Sequence, residues 1–149
     1  MKRIIESRKL LEVSPEANLA ELKNVYRTLI KQYHPDKVNN DEELKLAYEI
    51  KSQEIISAYH LLVSVAPETH ALQLEEYTRI ISNAVIDDHQ YKGQTLKISF
   101  LDGSAYEYFG VPRNTYIKFI NSPSQSRFAR RHIYQSFTYR NVSKQMEAA

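Results

Sequence analysis

The stretch Leu22–Lys37, LKNVYRTLIKQYHPDK, decides how the first half of this chain folds. Its apolar residues Leu22, Val25, Tyr26, Leu29, Ile30 and Tyr33 recur at three- and four-residue spacing, which places one buried stripe along a helix. On the other side Lys23, Arg27 and Lys31 step by four, so their charges stack on one solvent-facing strip. A proline disfavours helical geometry in the residue before it and has no N–H of its own, so the helix must close at Tyr33 or His34. His34, Pro35 and Asp36 therefore stand at an exposed corner on the end of a cationic helix, an arrangement that suits docking onto an acidic partner.

Working outward, Asn18 offers an N-cap to this helix, with Glu21 as its capping-box partner. Upstream, roughly residues 3 to 12 form a short amphipathic helix through Ile4, Ile5, Leu10 and Leu11, ended by Ser14-Pro15. Downstream, the loop VNND leads to a third helix over about Asp41 to Ser64, capped by Asp41, with Glu42 and Glu43 at the positive end of its dipole. Leu44, Ala47, Tyr48, Ile55, Ala58, Tyr59 and Leu62 supply its inward stripe.

The run YRTLIKQYHPDK, preceded by LLEVSPEANLAELK and followed by a helix containing ISAYHLL, resembles the J-domain of DnaJ-type co-chaperones over roughly residues 6 to 65. That resemblance implies an all-α module, an antiparallel helical hairpin behind a short first helix. It further implies that Lys23, Tyr26, Arg27 and Lys31 bind a DnaK-type ATPase chaperone while His34, Pro35 and Asp36 trigger its ATP hydrolysis. Three departures stand out. Arg8 occupies a position where the family has an aromatic, Ser52 stands where it often has phenylalanine, and the third helix is about a turn longer at its start.

The chain has 149 residues, 42% hydrophobic and 26% charged, enough for two small domains and without the signature of disorder. With no cysteine there is no disulfide framework, cysteine zinc site or thiol chemistry. The N-terminus MKRIIESRKLLE is charged throughout what would be the apolar core of a signal peptide, and no later run reaches membrane-spanning length, so no membrane partner and a cytoplasmic location are expected. The net charge of +2 hides an asymmetry: between Tyr108 and Met146 there are seven basic residues and no acidic one.

Pro67 stops the third helix, and PETHALQLEEYTRII reads as a connector helix over 67–79, with imperfect apolar spacing through Leu72, Leu74, Tyr77, Ile80 and Ile81. The basic, aspartate-ended signature of the usual fourth J-domain helix is missing from it. From Ser82 onward the period turns to alternation, which marks a domain boundary. Leu96, Ile98 and Phe100 face one way, and Asp102-Gly103 is expected to make a two-residue hairpin turn into SAYEYFG. AVIDDHQ, with a turn at Tyr91-Lys92-Gly93, adds a strand ahead of them. Pro112 opens a helix over NTYIKFI, SQSRFARRHI forms a second short helix, and YQSFTYRN returns as a strand.

The Tyr106-Glu107-Tyr108 hairpin, then GVPRNTYIKFI, then SPSQSRFARRHIYQSFTY resembles the KTSC domain, named from the C-terminal domain of some lysyl-tRNA synthetases, over about residues 80 to 141. One departure is Ser124-Gln125-Ser126-Arg127-Phe128, where the family often has serine-X-glycine before its aromatic. The expected architecture is thus α+β: a J-domain over 1–66, a connector helix or linker over 67–79, and over 80–149 a small α+β domain with an antiparallel sheet and two short helices.

The histidines at 34, 60, 70, 89 and 132 show no ligand spacing, so no metal is expected, and the glycines at 93, 103 and 110 form no phosphate loop. Asp87, Asp88 and His89 read as a solvated strand end rather than an acid–base cluster. No catalytic residue and no cofactor are assigned, and the chain is expected not to be an enzyme. Its expected role is that of a co-chaperone whose C-terminal domain addresses it to an unidentified protein client. The alternative is an RNA-binding protein with a degenerate J-like module. For that surface Arg113, Lys118, Arg127, Arg130, Arg131, Arg140 and Lys144 would meet phosphates, and exposed members of Tyr106, Tyr108, Tyr134 and Tyr139 would stack on bases.

Overall fold

A computed structural model of the chain describes residues 1–143 and divides it into two compact units, Lys2–His70 and a second beginning at Ala71. Among the described residues no helix is long and apolar enough to cross a membrane.

The first unit is helical. Helix α1 spans Lys2–Leu11, α2 Leu19–Tyr33 and α3 Glu42–Val65, and α4, Pro67–Asn83, contributes its first residues. Both expected N-caps form: Asn18 Oδ1 accepts the Glu21 N–H at 2.9 Å and Asp41 Oδ1 accepts the Leu44 N–H at 3.1 Å. A further open donor of α2, the Leu19 N–H, is met at 2.7 Å by the Glu68 carboxylate from α4, which also places negative charge at the helix's positive end.

Ring pairs fix the α2–α3 hairpin. Tyr26 stacks on Tyr59 with centroids 4.1 Å apart, and Tyr33 meets Tyr48 edge-on at 5.5 Å, so early α2 faces late α3 and the two run antiparallel. Each such pair adds about 0.5–1.5 kcal/mol beyond the area it buries. Ile4, Leu11, Leu22, Ile55, Ala58, Leu61 and Leu62 are buried among the three helices. The inward stripe expected for α3 is corrected at its start. Leu44 and Ala47 are exposed, as are Leu46 and Ile50, because α2 ends before it can cover the first turns of the longer helix. On α1, likewise, Ile5 is exposed.

The second unit is an antiparallel four-stranded sheet in the order β1-β2-β3-β4 with β1 Ile86–Lys92, β2 Thr95–Phe100, β3 Ala105–Phe109 and β4 Thr138–Asn141, accompanied by α5, Arg113–Ile120, and α6, Gln125–His132. The tight two-residue turn lies at Gly93-Gln94, with φ of +56° and +62° between the paired Lys92 and Thr95. At Asp102-Gly103, where that turn was expected, only Gly103 has positive φ. The link there is the longer loop Leu101–Ser104, closed by Asp102 Oδ1 accepting from the Ser104 N–H at 2.9 Å and its hydroxyl at 2.5 Å. The local hydrogen bonds of the aspartate replace the second left-handed residue that a two-residue turn would need.

Helix α4 runs to Asn83 rather than ending at 79, and from Ala71 it belongs to the second unit. Its Tyr77, Ile80 and Ile81 are buried against Leu96, Ile98, Tyr106 and Tyr108 of the sheet, while Leu72 and Leu74 are exposed. The centre of this core is polar at one point. Tyr77 donates its hydroxyl proton to the Tyr134 carbonyl at 2.7 Å and lies 3.0 Å from the Tyr108 hydroxyl. Since a phenol carries one proton, Tyr108 must donate to Tyr77. Tyr134, by contrast, buries its own hydroxyl without a hydrogen-bond partner among the described residues.

Two expected outcomes follow from this cluster. Tyr77→Phe strips the Tyr134 carbonyl and the Tyr108 hydroxyl of their shared partner and should destabilise the second unit by about 1–3 kcal/mol, whereas Tyr134→Phe removes an unsatisfied hydroxyl and should be neutral or stabilising. Denaturant unfolding of the two variants checks the ordering, and equal losses would contradict the assigned bonds.

Burial raises the phenols of Tyr77, Tyr108 and Tyr134 well above the ordinary 10.0, and burial with the nearby Glu76 charge takes Tyr106 to about 12. The folded state therefore holds these protons after the unfolded chain has lost them. Their contribution to stability is complete below pH 10.0 and falls as pH rises through the folded values. A jump to alkaline pH followed by tyrosinate absorbance should show a prompt phase from exposed tyrosines and a delayed one limited by unfolding. A single prompt phase would refute the burial.

Candidate partner-docking site

The geometry around His34 follows from Pro35. Helix α2 ends at Tyr33, and His34 adopts φ −65°, ψ 129°, the extended conformation that a following proline imposes. Pro35–Lys37 then form one 3-10 turn, with the Lys37 N–H bonded to the His34 carbonyl at 3.0 Å and the Val38 N–H to that of Pro35 at 3.1 Å. The imidazole caps this turn: His34 Nδ1 accepts the Asp36 N–H at 3.2 Å, so in the neutral ring the proton sits on Nε2. Asp36 Oδ2 lies 3.5 Å from the same Nδ1, in place to pair with the ring when it is protonated. The side chains are 50% and 88% exposed, so both are presented on a corner that backbone hydrogen bonds hold stiff.

The cationic strip is also presented. Lys23, Arg27 and Lys31 are exposed, and among the described residues none of them has a side-chain ion pair. Tyr26, by contrast, is half-buried in its stack on Tyr59, so it shapes the strip's base more than it offers a free ring. Strip and corner therefore lie on one helix and its terminal turn.

Ser52 is a residue that sequence reasoning noted only as a departure. It is buried, and its hydroxyl donates at 2.8 Å to the Tyr33 carbonyl, one of the last acceptors that α2 leaves open. With Tyr48 against the Tyr33 ring and the Lys51 ammonium 5.7 Å above it, α3 grips the residue immediately before the motif. A serine at a helical core position is the available signal, because such a hydroxyl needs an acceptor. A groove of about 640 Å³ lies between α1 and α3 and includes no residue of α2 or of the corner.

In the second unit the candidate RNA residues separate. Tyr106 and Tyr108 are 2% and 0% exposed, which corrects their expected stacking role, and Tyr134 is buried with them. Tyr139 is stacked on Tyr77 at 3.9 Å. The physical reason is that the sheet's inward face is roofed by α4, which the sequence reading had set apart as a connector. Arg140 is likewise not a free cation, since it is half-buried and bonded to Glu107 at 2.7 Å. Arg113, Lys118, Arg127, Arg130 and Arg131 are exposed, the last three on α6. Lys144 lies outside the described residues. His89 bonds the Tyr116 hydroxyl at 3.2 Å and lies edge-on to Phe119, whereas Asp87 and Asp88 are exposed.

These features align with known proteins. Residues 9–71 match the DnaJ domain and residues 82–137 the KTSC domain. The chain is 56% identical over 46 residues to Protein psi1 of Schizosaccharomyces pombe, covering 28% of this chain and 12% of that protein. It is 40% identical over 67 residues to the Co-chaperone protein DjlA of Vibrio parahaemolyticus, covering 42% and 23%. To the Chaperone protein DnaJ of Mesomycoplasma hyopneumoniae it is 41% identical over 71 residues, covering 46% and 18%. The chain thus spans less than a quarter of the length of these curated relatives. The helical hairpin with its His34-Pro35-Asp36 corner falls within the first matched segment, and strands β1 to β3 with α5 and α6 fall within the second: the chain carries a DnaJ domain followed by a KTSC domain.

Proposed function

We propose that the chain is a DnaJ-type co-chaperone that docks through the α2 strip on an acidic face of a DnaK-type ATPase chaperone and stimulates its ATP hydrolysis through His34, Pro35 and Asp36. The observation that carries this reading is the corner itself. A stiff 3-10 turn presents an exposed imidazole and carboxylate next to three cations without ion pairs among the described residues. The match of residues 9–71 to the DnaJ domain and the names of the relatives support it. In this reading the hydrolytic chemistry belongs to the partner, the chain itself is not an enzyme and works in the cytoplasm, and the KTSC domain directs the complex to a protein client. The alternative, RNA binding with a degenerate J-like module, loses the stacking planes it needs at Tyr106 and Tyr108.

The decisive experiment measures whether the purified chain accelerates ATP turnover by a DnaK-type chaperone from the same cell. His34→Gln or Asp36→Asn should abolish the acceleration while the circular dichroism spectrum stays unchanged, because neither side chain fills a core. Full stimulation by folded His34→Gln protein would end the co-chaperone reading.

Replacing Lys23, Arg27 and Lys31 together by alanine keeps helix propensity and removes the steering charge. Association with the chaperone should slow by about tenfold at low salt and by less as salt is added. An unchanged association rate at low salt would take the strip out of the interface.

A further inference from the structure

Among the described residues, two arginines of α6 have no counter-charge within ion-pair distance. From Tyr108 to Met146 the sequence contains no acidic residue, and within that segment Arg140 is bonded to Glu107. Among the described residues Arg127 and Arg131 have neither an ion pair nor a side-chain hydrogen bond. They sit four apart on the same face of α6, where like charges repel. A fold that holds two guanidinium groups together without a carboxylate leaves a place for an anion.

That face borders a cavity. Ser124, Arg127, Phe128, Arg131 and His132 follow at helical spacing, and with the preceding turn at Ser122 they line a space of about 190 Å³. The base of the site is fixed rather than floppy. Ser124 caps α6 by accepting the Arg127 N–H at 3.3 Å, and Ser122 Oγ accepts the Ser124 N–H at 3.3 Å while donating to the Ser124 carbonyl at 3.0 Å. Phe128 is anchored against Phe119 of the core with centroids 6.3 Å apart, and the His132 ring lies against Phe128 at 4.7 Å. The chemistry is two planar forks suited to bidentate oxygen pairs, an imidazole and an aromatic wall.

We propose that this pocket seats the terminal phosphate of a nucleotide or of an RNA end. Its volume falls below the roughly 300–1,000 Å³ of pockets that enclose whole drug-sized ligands, so it receives a phosphate group while the rest of the ligand lies outside. Arg127 and Arg131 hold the non-bridging oxygens, and the Phe128 and His132 rings give the adjoining sugar or base a flat surface. The buried tyrosines play no part in this site, and it does not depend on the co-chaperone reading.

The test uses the full chain and a fluorescent single-stranded RNA of about ten nucleotides, with either a 5′-phosphate or a 5′-hydroxyl end. Anisotropy should show the phosphorylated RNA bound about tenfold more tightly, and the double variant Arg127→Ala/Arg131→Ala should erase that difference. Arg127→Lys/Arg131→Lys, which keeps the charge but loses the forks, should retain only part of it. A nucleoside 5′-monophosphate that competes as well as the phosphorylated RNA assigns the seat to free nucleotides, and weaker competition assigns it to RNA ends. Equal affinity for the two RNAs, or a phosphate preference that survives both double variants, overturns the proposal. Equal binding of a phosphoserine peptide overturns the nucleotide assignment.

Discussion

Pro35 can neither donate an N–H nor let His34 be helical, and the presentation of the docking corner depends on that prohibition. Because α2 must stop at Tyr33, its last carbonyls have no intrahelical partner, and the protein supplies one from outside in the Ser52 hydroxyl. The chain beyond the stop turns tightly through Pro35–Lys37 and leaves His34 to cap its own turn. The presentation of the imidazole and of Asp36 is therefore the way the backbone solves an unfinished helix. A hydrophobic side chain at position 52 could pack against α2 but could not satisfy that carbonyl. In this chain the grip on the motif is thus partly polar.

The second unit rests on a different solution to burying polar atoms. Three tyrosines converge around one hydroxyl, with Tyr77 of α4 linking the Tyr134 carbonyl, in the turn after α6, to the Tyr108 phenol of β3. An interior hydroxyl is tolerated where it has partners, and it then specifies how the elements meet. Tyr77 comes from α4, so the helix that looked like a spacer supplies the bond that joins sheet and return segment.

Charge divides the molecule's surfaces by a similar logic. Arg140 reaches Glu107 across neighbouring strands and is spent within the fold, whereas the arginines of α6 and the cations of α2 are exposed and, among the described residues, form no ion pair. Exposed like charges held at helical spacing weaken the isolated fold slightly, which makes their clustering more informative about partners than about stability.

Taken alone, the sequence determined the elements whose causes are local. The stop at Pro35, the caps Asn18 and Asp41, the start of α5 after Pro112 and the alternation of β2 each depend on a few adjacent residues, and each appears within a residue or two of its expected place. The corner at His34 was legible for the same reason. Tertiary structure alone decided which apolar and aromatic side chains are covered. Leu44 has the right spacing for a core yet stays exposed, while Tyr106 and Tyr108 are sealed under a helix that reads from its periodicity as a connector. It also decided that Asp102-Gly103 spreads into a longer loop, since the hydrogen bonds that Ser104 donates to Asp102 could be weighed only once both strands were in register. Burial and pairing are properties of surfaces that meet, and the chain's own order does not say which surfaces those are.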